Sequence, residues 1–139
     1  MAKLALEDIE SADVIISDCE VARSGPSYAL ETIFQLQKDM TGAAFTWIIG
    51  SDAIASLKDW YRIEELASLV NFLIIVRPGF TVAQELLPEY IQWSLLEIGA
   101  LDISATQIRE ALNRHEDVST VVPESVVRFI KSKGLYGAA

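Results

Sequence analysis

Three short, continuously apolar runs constrain the fold of this chain more than any other feature. They cover residues 14–16, 45–49 and 72–76, and polar and apolar side chains do not alternate along any of them. Such runs are typical of strands that are buried on both faces of a parallel sheet. We therefore predict three strands of this kind.

Segments of helical periodicity separate these runs. Apolar side chains recur at helical spacing over residues 28–38 and over residues 54–70, where Asp59 marks a break in the pattern. A short helix over residues 82–87 and a last strand over residues 93–98 follow. Strands that alternate with helices indicate βαβ units, so we predict an α/β fold with a parallel sheet flanked by helices.

Two helices close the chain. Ser104 and Gln107 have the spacing of a capping box, in which the serine side chain bonds a free backbone amide of the first turn. Pro123 is expected at the first position of the last helix, and Gly134 at its C-terminal end.

The chain opens with a helix-like segment over residues 2–9 that has no strand before it. We therefore expect an earlier strand, and with it the N-terminal part of the fold, to be missing from the sequence. Unpaired strand edges and exposed apolar surface would then favour a homo-oligomer or poor solubility.

Size and charge limit the class of protein. With 139 residues we expect a single domain over residues 1–139. A net charge of −9 argues against a nucleic-acid partner, and no apolar run is long enough to span a membrane. One cysteine and one histidine provide no cluster of metal ligands, and together with the absence of a signal-peptide pattern they suggest a cytoplasmic location.

Gly50 and Asp52 follow the second apolar run, where ligands meet the carboxyl ends of strands in open α/β sheets. A glycine lets the backbone approach a ligand, and an aspartate can bind a ribose hydroxyl. The alternative is an ordinary tight turn in which Ser51 or Asp52 caps the next helix.

Other residues suit phosphate groups. Ser104, Thr106 and Arg109 lie at a helix start, where free amides, hydroxyls and a guanidinium group can bind an anion, although an ordinary capped helix would show the same residues. Arg77 follows the third apolar run and could bind a phosphate, or could simply be a surface residue before a turn. Trp60 and Tyr61 could stack on a flat ring or cover the core.

In their order and spacing, several motifs together resemble bacterial nicotinate-nucleotide adenylyltransferases over about residues 5–136. The motifs are Gly25-Pro26-Ser27-Tyr28, Ile48-Ile49-Gly50-Ser51-Asp52-Ala53, Trp60-Tyr61, Arg77-Pro78-Gly79, Ile103-Ser104-Ala105-Thr106-Gln107-Ile108-Arg109, Val122-Pro123 and Gly134-Leu135-Tyr136.

The resemblance implies a Rossmann-like nucleotidyltransferase fold and the transfer of AMP from ATP to nicotinate mononucleotide, with Mg²⁺ assisting the phosphates. It implies that Gly50 and Asp52 bind the adenosine, and that Ser104, Thr106 and Arg109 bind the ATP phosphates, with Thr106 and Arg109 acting in catalysis. The acceptor mononucleotide would be bound by Tyr28, Ala29, Trp60, Tyr61 and Arg77, with Trp60 stacked on the nicotinate ring.

The chain departs from the family at two places. Ala29 replaces a threonine, and the glycine-rich loop with paired histidines, which binds the ATP phosphates in relatives, has no counterpart. We therefore expect little activity from these residues alone. The alternatives are a nucleotide-binding remnant without catalysis, and a sister adenylyltransferase for phosphopantetheine or nicotinamide mononucleotide.

Overall fold

The computed structural model describes residues 1–7, 9, 14–76, 82–99 and 103–138. Contacts between residues divide the chain into two compact units, which we call the sheet unit (Asp18–Leu101) and the terminal unit (Met1–Ser17 with Asp102–Ala139). The elements in chain order are α1 (Ala2–Ala5), α2 (Ala29–Asp39), β1 (Phe45–Gly50), α3 (Ile54–Leu57), α4 (Ile63–Leu69), β2 (Val70–Val76), β3 (Trp93–Glu97), α5 (Ala105–Asn113) and α6 (Glu124–Ser132), with 3₁₀ turns at Ser51–Ala53, Gln84–Leu86 and Leu135–Gly137.

The sheet unit is built on three parallel strands in the order β1-β2-β3. Phe45 pairs with Val70 at the start of β1, and Phe72 pairs with Trp93 at the start of β3. The predicted parallel α/β sheet is confirmed, and so is the break near Asp59, because α3 and α4 are separate helices.

One face of this sheet carries the core. Val70, Phe72 and Ile74 alternate along β2 and are buried with Ile49 of β1. They pack with apolar side chains of the three helices of the unit, namely Leu30, Ile33, Ile54, Leu57, Ile63 and Leu66. The helix periodicity of the sequence therefore serves to cover this face.

The prediction that the run at 45–49 forms a strand buried on both faces is wrong, because Ile48, on the opposite face of β1 from Ile49, is 59% exposed. The predicted last strand is present as β3, and all five of its residues are exposed. The predicted strand at residues 14–16 is also wrong, because residues 14–18 form no regular element and Ile15 is 80% exposed. Three apolar residues do not make a strand where no neighbouring strand pairs with them.

The terminal unit has its own small core, formed by Leu112, Val118, Val122, Val126 and Ile130. The predicted capping box is wrong, because the Ser104 side chain makes no cap hydrogen bond at the start of α5. Pro123 occupies the N-cap position of α6, one residue before its predicted place. Gly134 follows α6 in the left-handed region with φ 57°, as expected of a glycine that ends a helix.

Candidate nucleotide-binding residues

A pocket of about 400 Å³, which we call the ring pocket, lies in the sheet unit beside the start of α2. Its walls come from the segment before α2, from β1 and from the loop between α3 and α4. The lining residues are Glu20, Ser27, Tyr28, Ala29, Trp47, Asp59, Trp60 and Tyr61. Four residues predicted to bind the acceptor mononucleotide, Tyr28, Ala29, Trp60 and Tyr61, are therefore brought together here.

Aromatic side chains dominate this pocket. The rings of Tyr28 and Tyr61 are stacked, with centroids 4.3 Å apart and planes inclined by 28°. Trp60 is half-buried and packs against the core, as does Trp47. Trp60 thus covers the core and also presents surface to the pocket, and its stacking on a ligand ring stays a prediction. Flat π surfaces of this kind suit an aromatic or cationic ring.

The backbone turns sharply beside the pocket. Arg62 adopts a left-handed conformation with φ 52° at the N-cap of α4, which ends the loop that carries Trp60 and Tyr61. Its guanidinium group pairs with Glu65 and lies 5.9 Å from the Tyr61 ring centroid. A non-glycine residue in this region is strained, and the ion pair and the ring contact help to hold it there.

The start of α2 leaves polar backbone groups at the pocket. Tyr28 is the N-cap residue and makes no side-chain cap hydrogen bond, and α2 begins at Ala29. The first amides of a helix have no partner within the helix and carry its positive dipole end. An anionic group placed beside Ala29 would therefore be bound by backbone amides, whatever side chain stands at that position.

Gly50 and Asp52 form a tight pair at the carboxyl end of β1. Gly50 is the N-cap of the 3₁₀ turn Ser51–Ala53, and no side chain caps this turn. A Cβ atom at Gly50 would collide with Oδ1 of Asp52, so the aspartate carboxylate folds back over the glycine. The alternative in which Ser51 or Asp52 caps the turn is therefore wrong, and the Asp52 carboxylate remains exposed at the end of the strand.

The predicted phosphate-binding residues of the terminal unit share the first turns of α5. The Arg109 guanidinium donates a hydrogen bond to Oγ1 of Thr106 over 3.2 Å, and both side chains are exposed. Since Ser104 makes no cap hydrogen bond, the amides of this helix start remain open to an anion.

Arg77 lies outside the described residues. Gly50, Asp52 and the ring pocket belong to the sheet unit, whereas Ser104, Thr106 and Arg109 belong to the terminal unit. A common phosphate site of Arg77, Ser104 and Arg109 therefore stays a prediction.

Sequence reasoning gave no binding role to four residues of the ring pocket, Glu20, Ser27, Trp47 and Asp59. Ser27 entered only as part of the motif before α2. Trp47 could have been found, because it has the same parity along β1 as the buried Ile49. Asp59 was seen only as a helix break. Glu20 offered no signal, since it is one of many acidic residues and lies in a segment without regular structure.

A smaller cavity of about 220 Å³ lies along α5 in the terminal unit, lined by Ile103, Ser104, Gln107, Ile108, Ala111, Asp117, Val118 and Val121. The Asp117 carboxylate accepts hydrogen bonds from the backbone amide and the hydroxyl of Ser119, over 2.9 and 3.0 Å. These bonds, the amide contributing most, and the charge of Lys131 hold the pKa of Asp117 below its ordinary value of 3.8. The shift reflects a turn that is well hydrogen-bonded.

Within the described ranges, no group of three or more His, Cys, Asp or Glu side chains could hold a metal ion. No helix in the described part of the chain has the length and apolar character needed to cross a bilayer.

Comparison with known proteins first defines the class. A family model described as cytidylyltransferase-like matches residues 1–111, so the chain belongs to this class of nucleotidyltransferases. The predicted Rossmann-like nucleotidyltransferase fold is thereby confirmed.

Within this class the chain belongs to the nicotinate-nucleotide adenylyltransferase family. It is 35% identical over 137 residues to the probable nicotinate-nucleotide adenylyltransferase of Staphylococcus epidermidis. This match covers 99% of this chain and 68% of that protein. The proteins of the same name from Leifsonia xyli and Geobacillus thermodenitrificans are 38% and 39% identical. These matches cover 87% and 88% of this chain but only 60% and 55% of those relatives.

A solved structure agrees at the level of the fold. Nicotinic acid mononucleotide adenylyltransferase of Plasmodium falciparum, solved in complex with APC, matches with a TM-score of 0.72 at 21% identity. The match covers 90% of this chain and 65% of that protein.

Proposed function

We propose that this chain belongs to an enzyme that transfers AMP from ATP to nicotinate mononucleotide, giving deamido-NAD and pyrophosphate. The observation that carries the proposal is the ring pocket, in a member of this family, with its stacked tyrosines, Trp60 and an uncapped helix start. It is a place for a flat ring that bears an anionic group.

The nicotinate group fits the chemistry of this pocket at both ends. The ring of the mononucleotide is a pyridinium cation, which is attracted to the π surfaces of Trp60 and Tyr61 and to the carboxylate of Asp59, which lines the pocket. The carboxylate of nicotinate would accept hydrogen bonds from the backbone amides at the start of α2. The family's threonine is then dispensable at Ala29, because the amide rather than the side chain makes the contact.

In the proposed reaction, a phosphate oxygen of nicotinate mononucleotide attacks the α-phosphorus of ATP. A new phosphorus–oxygen bond forms as the bond to the bridging oxygen breaks, and pyrophosphate leaves with that bonding pair. Such a transfer requires positioning and neutralisation of charge more than covalent chemistry from the protein.

The resemblance to the family assigns the roles of the individual residues in this reaction. Gly50 and Asp52 bind the adenosine, with the Asp52 carboxylate suited to a ribose hydroxyl. Ser104, Thr106, Arg109 and the open amides of α5 bind the ATP phosphates, and Arg77 binds a phosphate near the reacting centre. Removing one such charge contact is expected to cost about 2–4 kcal/mol in the transition state.

A divalent metal, which we infer to be Mg²⁺, would accompany ATP in adenylyl transfer and neutralise the charge of its phosphates. We also infer a cytoplasmic location, in keeping with a metabolic enzyme of this family.

Release of pyrophosphate from ATP and nicotinate mononucleotide tests the proposal. We expect release that requires both substrates, that is slow in this chain because the histidine loop has no counterpart in it, and that falls further when Arg109 is replaced by alanine. A chain that binds the mononucleotide without releasing pyrophosphate would instead be a binding remnant. Release with nicotinamide mononucleotide or phosphopantetheine as the better acceptor would identify a sister enzyme.

A further inference from the structure

One wall of the ring pocket is formed by a segment that has neither helix nor strand. Residues 18–27 lie between the start of the sheet unit and α2, and Glu20 and Ser27 of this segment line the pocket. A wall of this kind keeps its shape only if side chains fix it to a regular element.

Two sets of side-chain contacts, which we call ties, connect this segment to α2, and the first joins Glu20 to the helix. Oγ1 of Thr32 donates a hydrogen bond of 2.6 Å to a carboxylate oxygen of Glu20. Thr32 is 6% exposed and is the one buried polar residue in the part of the chain that the structure describes. A buried hydroxyl needs a partner, so this bond fixes the position of Glu20.

The second tie joins Arg23 to the same helix. Its guanidinium group reaches Glu31 and Gln35, with nitrogen–oxygen distances of 3.3 Å in both cases. The Arg23 side chain is 20% exposed, so this ion pair is shielded from solvent more than the other pairs of the described chain, which are at least 36% exposed on both sides.

Both ties act on the turn that carries Tyr28. The backbone amides of Glu31 and Thr32 donate hydrogen bonds to the carbonyl oxygen of Tyr28, over 3.0 and 3.2 Å. The side chains of these two residues are the ones that Arg23 and Glu20 hold. The pocket wall and the stacked Tyr28 are thus connected through one turn of α2.

We propose that Glu20 and Arg23 are positioning residues for the acceptor ring. They fix the wall at residues 18–27 against the first turns of α2, so that the wall is already ordered before the mononucleotide binds. The inference rests on the proposed function, since it takes nicotinate mononucleotide as the occupant of the pocket.

Preorganisation of this kind predicts an effect on binding of the acceptor. Without the tie, binding of the ring must also order the wall, and the affinity falls by the cost of that ordering. The hydrogen bond itself, rather than the charge of Glu20, is what the wall requires. A glutamine at this position keeps an oxygen that accepts from Thr32.

The test is calorimetric titration of nicotinate mononucleotide into the chain and its variants. We expect Glu20→Ala and Thr32→Val to raise the dissociation constant about tenfold, as the loss of one partly buried hydrogen bond would. The conservative variants Glu20→Gln and Thr32→Ser should restore binding to nearly that of the parent chain. Glu85→Ala, which removes an exposed carboxylate from the 3₁₀ turn Gln84–Leu86, is the matched control.

Each outcome decides a separate point. Unchanged affinity in Glu20→Ala, or an equal loss in Glu20→Gln, overturns the inference while leaving the proposed function intact. Failure of the parent chain to bind the mononucleotide overturns the proposed function and the inference with it. If Glu20→Ala does not fold, Arg23→Met breaks the second tie alone, and unchanged affinity in that variant overturns the inference.

Discussion

At the scale of single residues, Gly50 and Asp52 show how the lack of a side chain at one residue makes room for the carboxylate of another. The absence of a side chain at Gly50 leaves the space that the Asp52 carboxylate occupies at the end of β1.

Replacement of Gly50 by alanine should therefore displace the Asp52 carboxylate and weaken ATP binding, while leaving the fold intact. We expect a loss of about tenfold in affinity, equivalent to one hydrogen bond to the ribose. Calorimetric titration with ATP measures it. Gly99→Ala is the control, because a Cβ atom at Gly99 meets nothing within 4 Å. Equal affinity in the two variants would contradict the pairing.

Asp117 should titrate below its ordinary pKa of 3.8. Its folded-state pKa is depressed, so its contribution to stability is present above the unfolded-state value and is lost as the pH falls through the folded-state value. The Asp117 carboxyl resonance, followed by NMR from neutral pH down to acid, reports this midpoint. Ser119→Ala should raise it only in part, since the Ser119 amide remains, and Ser132→Ala should leave it unchanged. A midpoint at 3.8 or above would refute the assignment.

At the scale of elements, the sheet strands were predictable because continuous apolar runs coincide with pairing partners. Runs at 45–49 and 72–76 became β1 and β2, whereas the run at 14–16 has the same character but no pairing partner among the described residues. The capping box at Ser104 failed for another reason. Spacing shows which residues could bond an amide, but the side-chain rotamer decides whether they do.

The site was predictable only in part. Tyr28 and Tyr61 are 33 positions apart, and no local pattern places their rings together; the resemblance to a family did so. Glu20 and its tie to Thr32 could not be found in the sequence, because that bond depends on the path of a segment without periodicity.

The use of ATP should depend on Arg109, near the start of α5, more than on Arg114 at the other end of this helix. Arg109 lies in the first turns and bonds Thr106, whereas Arg114 follows the helix and pairs with Glu116. We expect Arg109→Ala to lower kcat/KM for ATP, with a loss of about 2–4 kcal/mol of transition-state stabilisation. Arg114→Ala should change kcat/KM little. Steady-state pyrophosphate release compares them, and similar losses would speak against a phosphate site at α5.

At the scale of the whole molecule, the sheet leaves apolar side chains in solvent. Ile48 of β1 and Leu96 of β3 are exposed, and both strands are edges of the described sheet. Exposed edges with apolar side chains favour association with other chains.

We therefore expect self-association that increases with concentration in sedimentation velocity. Ile48→Lys should reduce it, because a charge on an edge strand opposes pairing with another chain. Ile15→Lys replaces an even more exposed isoleucine outside the sheet and should have little effect. A parent chain that sediments as a monomer at every concentration would contradict this expectation.

The proposed function requires that the nicotinate group occupies the ring pocket. Calorimetric titration of the chain with nicotinate mononucleotide and with nicotinamide mononucleotide, beside the Trp60→Ala variant, tests this directly. We predict that the nicotinate compound binds about tenfold more tightly, because only its carboxylate is an anion for the amides of α2, and that Trp60→Ala loses most of this affinity. Equal affinity for the two compounds, or binding that does not depend on Trp60, would contradict the placement of the nicotinate group in the ring pocket.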